Sequence, residues 1–212
     1  MTRIIKNPDI AVKELLKGNV IALPTETVYG LGANGLDRNA VLKIFEVKKR
    51  PHFNPLILHV YSTDDFTKYC KNIPDVVYKL AEKFSPGPIT FILSKKSIVP
   101  DIVTAGLDTV AIRIPSHNLF RIVLKKSGLV VAAPSANLFG RISPTSASDV
   151  LKELGGKINY ILDGGQSKVG IESTVIGFIN GKISILRHGF ISEKDINSVT
   201  KGSIKILKPG IL

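Results

Sequence analysis

The stretch "VIALPTETVYGLGANG", residues 20–35, admits two folds. It holds a literal G-x-G-x-x-G at Gly30, Gly32 and Gly35, and an apolar, strand-like run precedes it. In a doubly wound dinucleotide-binding fold this pattern forms the turn from the first strand into a helix. Two features speak against that. Pro24 to Tyr29 intervene between the strand and the first glycine, where the fingerprint needs a tight turn. The acidic residue due about 20 positions on, at the end of the next strand, is missing from "LILHVY" (56–61). The segment reads instead as a polar loop at a strand end. Thr25, Glu26 and Thr27 offer hydroxyls and one carboxylate, and the glycines let a ligand come close. A plain turn is the alternative.

Working outward, strand-like and helix-like segments alternate. Asn7-Pro8 starts a helix that Gly18 stops, and Asp37 caps another over "NAVLKIFEV". Ser62 to Asp65 has capping-box spacing before "FTKYC". "DVVYKLAEKF" (75–84), "HNLFRIVLKKSG" (117–128) and Ser146 to Leu154 read as helices. "ITFIL" (89–93), "TVAIRI" (109–114), "LVVAAP" (129–134) and "INYILD" (158–163) read as strands. Asn180-Gly181 is a strong hairpin signal near the C-terminal end. Alternation of this kind indicates an α/β domain, and the hairpin makes its sheet mixed. The strand-end loops are then where a site belongs.

Composition narrows the class. The chain has 212 residues, 44% hydrophobic and 22% charged, enough to bury a core. One cysteine, Cys70, permits no internal disulfide and no thiolate cluster. The opening "MTRIIKNPDI" has no secretory pattern and no apolar run spans a bilayer, so a cytoplasmic protein without a membrane role is expected. The surplus of 29 Lys+Arg over 17 Asp+Glu attracts polyanions without saying which. No P-loop, H-E-x-x-H, G-x-S-x-G or aromatic-rich RNA motif occurs, and the four histidines have no metal spacing.

The remaining polar clusters suit anion binding. In "KKRPHFNPLI", Lys48 and Arg50 lie two apart. If the chain runs extended before Pro51, both face one side and converge on one phosphate, while Lys49 faces away. Asn54 and His59 follow close by. A solvated basic turn is the bland reading of that stretch. "AAPSANLFGRISPTS" sets Ser135, Asn137, Arg141, Ser143 and Thr145 after a buried strand, where hydroxyls and an amide reach phosphate or ribose oxygens. Ser146 is accounted for by capping. In "VAIRIPSH", Arg113 stands between Ile112 and Ile114 and must face away from the core they enter. Lining a cleft, it would clamp a carboxylate. "GIESTVI" and "ILRHG" add Glu172, Ser173, Thr174 and Arg187.

In this order, "PTETVYGLGANG", the K-x-R of "KKRPHFNPLI", "SPGPITFIL", "VAIRIPSH", the S-x-N of "APSAN" and "GIESTVI" closely resemble the YrdC-like family, the L-threonylcarbamoyladenylate synthases. The resemblance runs from about residue 8 to about residue 190. It implies a three-layer α/β fold, with a twisted mixed sheet, helices on both sides and a basic concave cleft. It also implies one domain over 1–212, the short form without a second C-terminal domain. The implied reaction joins L-threonine, bicarbonate and ATP into threonylcarbamoyl-AMP, releasing pyrophosphate, with Mg²⁺ accompanying the ATP. A separate transferase complex then modifies tRNA. By similarity, Lys48, Arg50, Asn54, Thr109, Ser135, Asn137, Ser143 and Arg187 hold ATP. Lys48, Arg50, Ser135 and Asn137 form the catalytic group. Thr27, His59, Arg113, Ser173 and a main-chain group near Ala133 hold threonine. An RNA-binding module, gripping double-stranded RNA or tRNA in the basic cleft, is the competing reading. A carbamoyl-transfer domain of the hydrogenase-maturation kind ranks lower, because those chains carry zinc-finger and acylphosphatase-like segments not found here.

Overall fold

The computed structural model describes residues 1–179 and 182–200, so the Asn180-Gly181 turn lies outside the described residues. A short strand, β1 (Arg3–Ile5), leads into helix α1 (Pro8–Leu16). The Asn7 side chain caps α1 by accepting from the Asp9 N–H, and Gly18 leaves it at φ 72°. Strands β2 (Ile21–Leu23) and β3 (Gly30–Asn34) follow, then α2 (Arg38–Lys48), capped by the Asp37 carboxylate. Next come β4 (Ile57–His59), a 3₁₀ turn over 63–65 with the predicted capping box, α3 (Phe66–Tyr69) and α4 (Asp75–Phe84). After β5 (Ile89–Ser94), α5 (Asp101–Thr104) and β6 (Thr109–Arg113) lies α6 (Asn118–Ser127), ended by Gly128 at φ 66°. The chain continues through β7 (Val131–Ala132), α7 (Ala147–Leu154), β8 (Tyr160–Leu162), β9 (Thr174–Ile179), β10 (Lys182–Arg187) and α8 (Glu193–Thr200).

The described strands form one mixed sheet in the order β1-β8-β2-β3-β7-β4-β6-β5-β9-β10. Strands β4 and β6 run parallel, as do β5 and β9, whereas β3–β7, β4–β7 and β5–β6 are antiparallel. Antiparallel pairing therefore reaches the middle of the sheet and is not confined to the C-terminal hairpin.

Alternation along the strands sorts side chains onto two faces. Ile21 and Leu23 of β2, Val131 of β7 and Leu162 of β8 meet Ala11 and Leu15 of α1 and Phe120, Val123 and Leu124 of α6. The intervening Ala22, Ala132, Leu58, Ile112, Phe91 and Ile176 enter the opposite, larger core, with α2, α4 and α7. The result is three layers, as the sequence implies. Helices α1 and α6 cover only the β8-β2-β7 end of their face. The same face of β4, β6 and β9 is left to form the floor of a cleft.

One expectation needs correcting here. The loop reading of residues 24–35 holds for the first half only. Gly30 and Gly32 belong to β3 and Gly35 follows its last residue; β3 pairs with β2 through Ile21–Gly32, Ala22–Leu31 and Leu23–Gly30. A Cβ on Gly32 would stand 2.8 Å from Leu23 Cδ1 and 3.0 Å from Val131 Cγ1. One on Gly35 would stand 2.7 Å from Leu58 Cδ2. Gly32 and Gly35 are small so that protein, not ligand, can pack close. We therefore expect Gly32→Ala to lower unfolding stability by about 1–3 kcal/mol through overpacking. Urea titration should show this as a lower midpoint at constant slope.

Candidate functional site

The cleft has a volume of about 230 Å³. Its floor follows from strand register. Pairing of β4 with β6 sets Ile57 beside Ala111 and His59 beside Arg113. Leu58 and Ile112 point into the apolar core, so their neighbours must face the cleft. Val175 of β9 extends the same floor.

One end is built around Arg113, which is 4% exposed. Its Nη2 donates to Glu26 Oε1 at 2.6 Å and to Thr27 Oγ1 at 2.9 Å. The other Glu26 oxygen accepts from the Ser116 N–H at 3.0 Å. Burial would raise the Glu26 carboxyl, but the Arg113 charge and these hydrogen bonds outweigh it and hold the group below its ordinary value. Among the described residues the Arg113 Nε is buried without a partner. Thr25 and Thr27 share a hydrogen bond at 2.8 Å, and the Thr27 and Val28 N–H groups also donate to the Thr25 hydroxyl. The 163–173 loop secures this turn from outside, Val169 and Gly170 donating to the Glu26 and Thr27 carbonyls. Beside Arg113, burial and then the arginine charge push His59 down to about 3, so its ring is neutral. That ring packs on Phe120, with centroids 5.2 Å apart, and its Nδ1 has no partner.

The opposite end is more open. Arg187, at the end of β10, donates through Nε to the Ser173 carbonyl and through Nη2 to Ser173 Oγ, both at 3.0 Å. Its Nη1 pairs with Glu172, whose other oxygen accepts from Ser143 Oγ at 3.2 Å. Arg50 donates to the Asn54 and Pro55 carbonyls at 3.3 and 3.1 Å and lies 5.7 Å from the Phe139 ring centroid. Ser135 lines the cleft where β7 exits, tied to β3 by the Leu31 N–H donating to the Pro134 carbonyl at 2.8 Å.

Of the residues picked out in the sequence, Arg50, Ser135, Arg187, Thr27, His59, Arg113, Ala133 and Ser173 line the cleft. Lys48, Asn54, Thr109, Asn137 and Ser143 do not. Lys48 differs most. It is the last residue of α2, and Lys49 leaves the helix in the left-handed region at φ 52°. The extended backbone invoked to make Lys48 and Arg50 converge is not there. Lys48 is 1% exposed, and its ammonium donates to the Ser135 and Asn137 carbonyls. Burial, and then the Arg50 charge, draw it down to about 7. Lys49 is exposed, as expected. Asn137 is also turned inward, its amide N donating to the Leu138 and Arg141 carbonyls at 2.8 and 2.7 Å. Asn54 takes part through its carbonyl. Ser143 reaches the site through Glu172. Thr109 shares the strand face of Ala111 and Arg113, farther out, opposite Ser94. The sequence reading missed that Glu26 and Glu172 each neutralise a cleft arginine. Glu26 lies 87 residues from Arg113, and no local pattern couples them.

The family model Sua5_yciO_yrdC, described as "Telomere recombination", matches residues 13–189. The chain is 46% identical over 197 residues to the Threonylcarbamoyl-AMP synthase of Pyrococcus abyssi, a match covering 93% of this chain and 58% of that protein. It is 45% identical over 196 residues to the Threonylcarbamoyl-AMP synthase of Bacillus subtilis, covering 91% and 57%. The chain thus spans somewhat over half the length of these two relatives. The crystal structure of P. abyssi Sua5 complexed with L-threonine superposes with a TM-score of 0.93 at 43% identity, covering 98% of this chain and 62% of that one. Since the family model takes in most of the chain, from α1 through β10 into Gly189, this protein belongs to the Sua5_yciO_yrdC family.

Proposed function

We propose that this domain is a nucleotidyltransferase that makes L-threonylcarbamoyl-AMP and pyrophosphate from L-threonine, bicarbonate and ATP. The product would pass to a tRNA threonylcarbamoyltransferase complex in the cytoplasm. One observation carries the reading: a single cleft with two differently built cationic ends. The Arg113 end is buried, rigid and rich in hydroxyls, and suits a small amino acid. The Arg50–Arg187 end is half-open and suits a longer polyanion. The relatives named Threonylcarbamoyl-AMP synthase and the threonine-bound Sua5 structure support it.

In this reading the Arg113 guanidinium takes the threonine carboxylate, while Thr27, Ser173 and the main chain near Ala133 fix its remaining polar groups. Neutral His59 adds bulk and a hydrogen bond without further charge. The threonine amine adds to CO₂ with loss of a proton, or to bicarbonate with loss of water, to give a carbamate, and a carbamate oxygen attacks the α-phosphate as pyrophosphate leaves. No protein nucleophile is needed. Rate comes from holding two anions in line and from guanidinium charge aimed at the phosphate oxygens. Arg50, Arg187 and the Ser135 turn supply that charge and position. Asn54, Thr109, Asn137 and Ser143 act by shaping this rim. Lys48 is a strut: its side-chain nitrogen braces the Ser135–Asn137 turn from behind. Among the described residues no three acids or histidines converge, and Glu26 and Glu172 each hold an arginine. Mg²⁺ would therefore arrive on the triphosphate and neutralise it there.

Pyrophosphate release from ATP should require both L-threonine and bicarbonate; release indifferent to threonine would sink this reading. Salt-sensitive RNA binding without such release would favour the RNA-binding alternative. Arg50→Ala should lower kcat/KM for ATP about 10–100-fold, the worth of a lost charged hydrogen bond. Arg113→Lys keeps the charge but loses the planar fork, and should raise the KM for threonine by about 10-fold. Arg113→Ala should in addition destabilise the fold by about 3–5 kcal/mol, since it strands the buried Glu26. The Lys48 strut has a pH signature. Unfolded, its amine keeps its proton to about 10.5; folded, it loses it near 7. Between these values the unfolded state binds more protons, so stability rises with pH, by up to about 1.4 kcal/mol per unit. Unfolding titrations at pH 7 to 10 should show this rise in the wild type and its loss in Lys48→Met.

A further inference from the structure

Among the described residues that line the half-open end of the cleft, Glu172 is the one whose charge opposes a phosphate. It contrasts with Glu26 at the other end. The Glu26 carboxylate is buried and held by Arg113 and by the Ser116 main chain. The Glu172 side chain is 41% exposed, and its hydrogen bonds run to two side chains, Arg187 and Ser143. Arg187 lines the cleft, and Ser143 reaches it through Glu172. Its charge also reaches Lys48 and Arg50, favouring the protonated form of each. One carboxylate thus serves the three cations gathered at that end.

From this placement we propose that Glu172 is a surrogate anion and a specificity determinant for the nucleotide. It occupies the phosphate position of the empty cleft and selects the metal-complexed triphosphate over the free one. The inference rests on the ATP-binding reading above. Free triphosphate must either displace Glu172 from Arg187 or lie against it, and two anions at that distance repel strongly in a half-buried site. A divalent cation carried by the triphosphate cancels the repulsion. It also lets the carboxylate stay near Arg50 and Arg187 instead of leaving them.

The test is equilibrium binding of a non-hydrolysable ATP analogue to the whole chain, in EDTA and in excess Mg²⁺, without threonine. The wild type should bind at least about 10-fold more weakly in EDTA, as like-charge juxtaposition demands. Glu172→Gln keeps the shape and one acceptor oxygen for Arg187 but removes the charge. It should recover affinity in EDTA and close the gap to within about threefold. Glu172→Ala serves the same comparison if the Gln variant folds poorly. Equal weakening of the variants in both media would overturn the proposal, leaving Glu172 as a residue that merely orients Arg187. So would a wild type that binds equally well in both. A wild type that binds the analogue in neither medium would overturn the ATP-binding reading itself, and this inference with it.

Discussion

A lysine ammonium inside the protein has to be met by oxygen, because leaving it bare costs several kcal/mol. Lys48 meets that demand with the Ser135 and Asn137 carbonyls, and by doing so joins the end of α2 to the turn leaving β7. The Phe139 N–H donates back to the Lys48 carbonyl at 2.9 Å and closes the junction. Everything at the open end of the cleft leans on it. The left-handed Lys49 that follows sends Arg50 toward the cleft, and the braced turn presents Ser135. Buried as it is, Lys48 anchors that wall of the cleft.

The buried pair of Glu26 and Arg113 plays the matching part at the closed end. It joins the β2–β3 connection to the end of β6, and Thr27 and Ser116 complete its hydrogen bonds. Desolvation makes such a pair a poor source of net stability, but removing either partner is expensive. What it provides is definition. It fixes the Arg113 guanidinium beside a neutral His59 on a floor that strand register places without freedom. The two ends differ accordingly. One is prearranged and dry, whereas the other is half-exposed, with an internal carboxylate on its arginine.

The local elements were largely legible in the sequence. Asn7, Asp37, Ser62 and Ser146 sit where their side chains can accept from the first turn of a helix, and that geometry spans only a few residues. β3 was hidden. Its glycines resemble loop chemistry, and only the neighbouring Leu23, Val131 and Leu58 show why a side chain is excluded there. Lys48 was recognised as a member of the cation group but given the wrong geometry, because a helix end and an extended turn share the same short sequence.

By itself the sequence determined most of the longer strands and helices, that Arg113 must face away from the core its neighbours occupy, and which cations and hydroxyls belong together. These follow from periodicity, from capping and from the order of the motifs, all of which act over short distances. Only the tertiary structure decided which cations face the cleft and which brace it from behind. It alone paired Glu26 with Arg113, and it alone set Glu172 on Arg187. The physical reason is that a charge finds its partner by distance through space and by loss of water. Both are set by strands and loops packed together from distant parts of the chain, and neither is written in any local pattern.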